Sequence, residues 1–180
     1  MEPKYNCIAA VVGGDLRQVE VAGALTDLFK EVRIYGHPSS VLPAAVIFGA
    51  HLDELVHAGV IILPINGMTD SGAVSGYKPD QTINFGSFMP SLAKDTVIIT
   101  GSITAQWLQK ANHLQLKVFQ YADNDEIAIL NSIPTAEGAL QIAMEQLPIT
   151  IHGSRVLVIG FGRVGETVAR LFKAVGAKTV

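Results

Sequence analysis

Apolar residues fall in short runs along this chain: Ile8–Val12, Val32–Tyr35, Val60–Ile65, Thr96–Thr100, Leu116–Phe119 and Val156–Ile159. Most of the runs are continuous rather than alternating, and they are rich in Val and Ile. Continuous runs of strand length predict strands covered on both faces, hence a parallel sheet between helices. The segments between them carry helical periodicity. Leu16, Val19, Ala22, Leu25, Leu28 and Phe29 share one stripe and predict a helix over 16–29, and a shorter one is predicted over 104–111. Ala136, Ala139, Leu140, Ala143, Met144 and Leu147 predict a third over 135–147, entered after Pro134 with Thr135 as N-cap and stopped by Pro148. Strand and helix in alternation predict an α/β fold.

The last segment reads strand, turn, helix, strand: Val156–Ile159, Gly160–Gly165, Glu166–Val175 and Lys178–Val180. This is the opening of a Rossmann βαβ unit, and further strands are needed to close such a sheet. The expected organisation is a parallel-sheet domain over 1–134, a linker helix over 135–150, and the start of a dinucleotide-binding domain over 151–180, inside which the chain stops. A helix over 166–175 left with few neighbours predicts self-association, or mobility, through Val164–Val180.

Composition narrows the classes. Of 180 residues 49% are hydrophobic and 16% charged, which excludes a disordered chain. Thirteen basic against sixteen acidic residues give a net charge of -3, unsuited to a general nucleic-acid binder. Mean hydropathy is +0.36, yet the longest apolar stretches, Val41–Ala50 and Gly59–Ile65, fall far short of the roughly 20 residues that cross a bilayer. Cys7 has no partner for a disulfide, and no Cys/His spacing suits a metal. The first residues lack a signal core, so the reading is cytoplasmic.

Gly160-Phe161-Gly162-Arg163-Val164-Gly165 matches G-x-G-x-x-G in full, after an apolar strand and before an apolar-striped helix. In such a turn Gly160 permits the sharp bend, Gly162 lets the backbone approach a diphosphate, and Gly165 lets helix and strand pack closely. The residue that separates NAD from NADP lies about 20 positions on, past Val180. A second glycine turn, Gly13-Gly14-Asp15-Leu16-Arg17-Gln18, departs from that fingerprint. It puts an acid and an arginine at a helix start, which suits either a carboxylate or phosphate site or a plain βα turn capped by Asp15.

Taken in order, these residues carry a resemblance. Gly13-Gly14-Asp15-x-Arg17-Gln18, Ile62-Leu63-Pro64, Asp125-x-Ile127-Ala128-Ile129-x-Asn131-Ser132-Ile133-Pro134-Thr135-x-Glu137-Gly138 and Thr150-Ile151-His152-Gly153-Ser154, running into Gly160–Gly165, resemble the family of the A subunit of dipicolinate synthase over essentially the whole chain. The resemblance implies a flavodoxin-like first domain and a second domain that binds NADP, with NAD as the alternative. It implies oxidation of dihydrodipicolinate, or its hydroxytetrahydro precursor, to dipicolinate. It further implies a flavoprotein-like B subunit as partner, in the mother cell of a sporulating bacterium. A chain lacking most of the second domain is expected to be inactive alone.

A ring bearing two carboxylates needs cationic or N–H donors at two points. Ligands in open α/β sheets bind beyond the carboxyl ends of the strands. The loops expected there are Gly13–Gln18, Asn66–Gly72, Gly101–Thr104 and Asn131–Gly138. Arg17 is the first choice as carboxylate clamp, with Ser102, Thr104, Asn131, Ser132 and Thr135 as further donors. Glu137 and Asp15 are the acids nearest that edge and the candidates for a base; Glu137 equally suits a helix N-terminus. His37, His51, His57 and His113 read as loop or surface residues, His152 as a hinge, and Trp107 as core. Two other readings share the glycine motif: a dinucleotide-sensing scaffold without chemistry, and a relative of 2-hydroxy-acid dehydrogenases. An enzyme requires the Arg17 turn to face the nicotinamide; a sensor does not.

Overall fold

The computed structural model describes residues 4–180, which divide into two compact units at Asp123/Asn124. In chain order the first unit contains β1 (Tyr5–Val12), α1 (Leu16–Leu25), β2 (Phe29–Tyr35), β3 (Ile47–Gly49), β4 (Ala58–Ile62), β5 (Ala73–Ser75), β6 (Thr82–Asn84), α2 (Phe85–Phe88), β7 (Val97–Thr100), α3 (Ala105–His113) and β8 (Lys117–Gln120). Six strands form one parallel sheet in the order β3-β2-β1-β4-β7-β8. Without the three-residue edge strand β3, the five longer strands run second, first, third, fourth, fifth, the flavodoxin order.

The continuous apolar runs are explained by two cores, one on each face. Ala9 and Val11 of β1 pack with Val19 and Ala22 of α1, while Ala10 and Val12 pack on the other face with Phe85, Phe88 and Ala111. Successive side chains point to opposite faces, so a strand covered on both sides has no polar position to spare. Helix α1 ends at Leu25 rather than at 29, because Phe29 begins β2 and joins the sheet. The hairpin β5/β6 and strand β3 lie outside the predicted elements; each strand is three residues long, too short for a periodic signal.

The second unit contains α4 (Asp125–Gln146), β9 (Arg155–Val156), α5 (Arg163–Ala174) and β10 (Lys178–Thr179). β9 and β10 are parallel, with α5 between them in sequence, so the Rossmann-type βαβ opening is present with short strands. Helix α4 starts at Asp125, not at 135. The Asn124 side chain accepts from the Ile127 N–H at 3.1 Å, and Asp125 and Glu126 occupy the first turn, where carboxylates favour the helix dipole. Pro134 lies inside the helix, and Thr135, expected as N-cap, instead donates its hydroxyl back to the Asn131 carbonyl at 2.9 Å. The expected loop over Asn131–Gly138 is therefore helical.

The expectation of an uncovered last helix is also corrected. Phe172 of α5 is buried with Ile151 and Ala177, and Val168 packs with them against Ala139, Leu140 and Ala143 of α4. What stays exposed lies mainly outside the helix, at Leu157, Ile159, Phe161 and Val180.

Candidate active site

In the first unit the chain passes from β1 to β2 on one side and returns to β4 on the other. The crevice between the carboxyl ends of β1 and β4 is thus the topological switch point of the sheet. A cavity of ≈ 310 Å³ lies there. Gly14, Asp15, Arg17 and Gln18 of the β1 turn, Pro64, Ile65 and Asn66 after β4, and residues 75–79 at and after the end of β5 line it. The turn is held from several directions. Gly13 and Gly14 take the left-handed conformation, with φ of 67° and 80°. Their N–H groups donate to the carbonyls of Tyr35 and Ser75 at 2.9 and 2.7 Å. A side chain on Gly14 would run into Gln18 and Pro64, so backbone forms this wall.

Asp15 caps α1 by accepting from the Arg17 N–H at 2.9 Å. The same carboxylate accepts from Arg17 Nε at 2.9 and 3.1 Å and from Nη2 at 2.8 Å. The Arg17 hydrogen bonds hold the Asp15 carboxyl below its ordinary range, and partial burial opposes them. Asp15 is accordingly suited to hold Arg17, not to take a proton. The helix N-terminus is filled by this carboxylate, so the reading of the turn as a phosphate cradle gives way to that of a capped turn presenting Arg17. The guanidinium keeps Nη1 for a ligand.

Tyr121, the first residue beyond β8, joins this neighbourhood without having stood out in the sequence. Its hydroxyl donates to the Leu63 carbonyl at 3.1 Å, at the end of β4, and it lies close enough to sense the Arg17 charge. Burial pushes the phenol up to about 12, so it stays protonated at neutral pH. Its position just past a strand's carboxyl end was the available signal. His37, expected as a surface loop residue, is buried beside Tyr77, with ring centroids 5.5 Å apart. Its Nε2 meets the Asp15 carbonyl at 3.2 Å, so it buttresses the Arg17 turn.

The other expected donors are scattered. Ser102 donates to the Asn66 carbonyl at 3.2 Å, and Thr104 precedes α3 with its hydroxyl buried; neither lines the Arg17 cavity. Asn131, Ser132 and Thr135 belong to α4 in the second unit. Ser132 is buried, donating to the Ile129 carbonyl at 2.6 Å and meeting the Thr167 hydroxyl of α5 at 2.7 Å, so it ties two helices together. Glu137 is exposed on α4 and lines a ≈ 310 Å³ hollow with Thr167 and Arg170.

In the second unit the Gly160–Gly165 turn follows β9 after a stretch of irregular chain and opens α5. Gly160 has φ of 95°. A Cβ on Gly165 would overlap the Gly160 carbonyl oxygen, so helix and turn are in contact there. Gly162 is the N-cap of α5, lacks a side-chain cap, and has no atom within 4 Å of where its Cβ would stand. Open space beside uncapped N–H groups at a helix start is what an anion needs. Phe161 and Val164 are exposed beside it, and Arg163 Nη1 donates to Asp125 Oδ1 at 2.8 Å, which fixes α5 to the start of α4.

Known proteins share this fold. The family described as the N-terminal domain of the A subunit of dipicolinate synthase matches residues 9–122. The curated A subunit of dipicolinate synthase from Bacillus subtilis (strain 168) is 33% identical over 171 residues, covering 93% of this chain and 58% of its own. The crystal structure of the same subunit from Bacillus halodurans superposes with a TM-score of 0.82 at 30% identity, covering 98% of this chain and 62% of that one. That from Bacillus subtilis gives a TM-score of 0.72 at 31% identity, covering 97% and 60%. The chain thus spans about three fifths of the length of these relatives. With its first unit matched and its similarity carried along both units, this chain belongs to the family of the A subunit of dipicolinate synthase.

Proposed function

We propose that this chain contributes the substrate-binding unit and the diphosphate-binding turn of an NAD(P)-dependent oxidoreductase that makes dipicolinate. The observation that carries the reading is the switch-point cavity: a small cleft with Arg17 presented by Asp15, in a chain that also has an open, uncapped glycine turn in its second unit. Membership in the family of the A subunit of dipicolinate synthase supports a diacid as the ligand of this cleft.

In this reading Arg17 binds one ring carboxylate through Nη1, and the apolar wall of Pro64 and Ile65 orients the ring. Protonated Tyr121 adds no competing anion near Arg17. The Gly160–Gly165 turn and the first N–H groups of α5 hold the coenzyme diphosphate, and NADP, or NAD, supplies the hydride acceptor when bound. The ring nitrogen or neighbouring carbon gives up a proton as the aromatic system forms, so dihydrodipicolinate loses one hydride and one proton in all. Of the two candidate acids, Asp15 is spent on Arg17, and Glu137 belongs to the second unit, where it lines a different hollow, so neither is assigned that proton. A flavoprotein-like B subunit is the proposed partner, and the mother cell of a sporulating bacterium the proposed setting.

The test is a thermal-shift and calorimetric titration with NADP, NAD and dipicolinate, on wild type and Arg17→Met. Dipicolinate is expected to stabilise wild type but not Arg17→Met, whereas the variant keeps its nucleotide response. A wild-type protein that responds to nucleotide and ignores dipicolinate would favour the sensing scaffold instead.

A further inference from the structure

The Arg17 cavity has a second cation among its lining residues. Lys78 stands on the loop that follows β5, and that loop is tied down rather than loose. Gly76 N–H donates to the Gln81 carbonyl at 2.7 Å, Gln81 N–H donates to the Lys78 carbonyl at 2.9 Å, and Gly14 N–H holds the Ser75 carbonyl at 2.7 Å. Tyr77 leans on buried His37. The loop is therefore fastened both to itself and to the Arg17 turn, and it holds the Lys78 backbone at the cavity rim while the residue stays exposed, its four-carbon stem free to reach.

The charges are unequally committed. Arg17 already gives Nε and Nη2 to Asp15. The Lys78 ammonium takes part in none of the ion pairs among the described residues. Asp15 is the only carboxylate among the described residues lining this cavity, and it is already paired. One ring carboxylate suffices for Arg17; a second on the same ring brings a charge for which Lys78 is the remaining cation among the lining residues, beside the neutral donors Gln18, Asn66 and Tyr77.

Resting on the function proposed above, we infer that Lys78 is the specificity residue that selects dicarboxylates over monocarboxylates. A lysine suits this role because its ammonium is a point charge on a flexible stem, able to meet a carboxylate whose position shifts with the ring.

The experiment compares binding of pyridine-2,6-dicarboxylate with that of pyridine-2-carboxylate, by calorimetric titration, in wild type, Lys78→Met and Lys78→Arg. Lys78 is exposed, so the variants are expected to fold as wild type does, which circular dichroism checks. Wild type should prefer the diacid. Lys78→Met should lose about tenfold in diacid affinity, the scale of a hydrogen bond to a charged group, and leave the monoacid unchanged. Lys78→Arg should keep most of the preference. An Arg17-dependent diacid preference that survives in Lys78→Met overturns the Lys78 inference alone. Failure of wild type to bind either acid in an Arg17-dependent way overturns the functional reading, and this inference with it.

Discussion

The glycine turn of the second unit offers a test in which two neighbouring methyl groups should act differently. Gly162 has φ of -87°, which any L-residue adopts, and its Cβ direction opens on empty space. Gly162→Ala loses some N-cap quality, up to about 1 kcal/mol, and regains about 0.4–1 kcal/mol from a less flexible unfolded chain. The net change in stability is expected to lie near zero. The same methyl stands where a diphosphate must approach the backbone, so coenzyme affinity should fall by about tenfold or more, about 1.4 kcal/mol. Gly165→Ala is the opposite case. Its methyl overlaps the Gly160 carbonyl oxygen and would sit 3.6 Å from Val158 Cγ1, so turn and helix must separate. Overpacking of this kind costs about 1–3 kcal/mol. Because the chain has two compact units, one global unfolding energy is not the right readout. Hydrogen exchange at the α5 amides reports the local cost, and calorimetric titration with NADP and NAD reports binding. Gly162→Ala should leave exchange unchanged and abolish most binding; Gly165→Ala should speed exchange and weaken binding together. A Gly162→Ala protein with wild-type affinity would refute the assignment of this turn as a diphosphate cradle.

Tyr121 and Ser132 each invite a measurement. Tyr121 is pushed from 10.0 to about 12, so the native chain keeps a proton that the unfolded chain releases; stability is intact below about pH 10 and should decline as pH rises from about 10 to about 12, with Tyr121→Phe removing both the decline and the last step of an ultraviolet tyrosinate titration. Ser132→Ala should destabilise the second unit by about 1 kcal/mol, the value of one buried hydrogen bond, and leave dicarboxylate binding untouched; a loss of binding at unchanged stability would restore Ser132 as a substrate ligand.

The sheet was legible because its strands obey a single constraint. A strand with cores on both faces must be apolar throughout, and Ala9–Val12 is, since Ala9 and Val11 serve one core and Ala10 and Val12 the other. The glycine turn was legible for a similar reason: Gly160 and Gly165 are demanded by backbone geometry, and residue type exposes such demands directly. The start of α4 was not. Pro134 reads as a boundary because its ring and missing N–H oppose a helix interior, and this rule outweighs the quieter signal of Asn124 before Asp125 and Glu126. That one misplaced boundary carries Asn131, Ser132 and Thr135 into a loop that does not form.

The Arg17 turn was legible as chemistry and illegible as geometry. Sequence places Asp15 two residues before Arg17, a spacing equally consistent with two opposed uses: Asp15 free as a base with Arg17 on the ligand, or Asp15 spent on Arg17. Local spacing does not choose between them, because the choice depends on where the α1 N–H groups point. Once α1 begins at Leu16, its second N–H belongs to Arg17 and draws the Asp15 carboxylate onto that residue, and the guanidinium closes on it from the other side. The N-cap thus determines the electrostatics. A capping Asp15 has its own basicity lowered, orients Arg17, and leaves the remaining positive charge of the cleft to be supplied by Lys78, a residue whose relevance comes from a cavity wall built far along the chain.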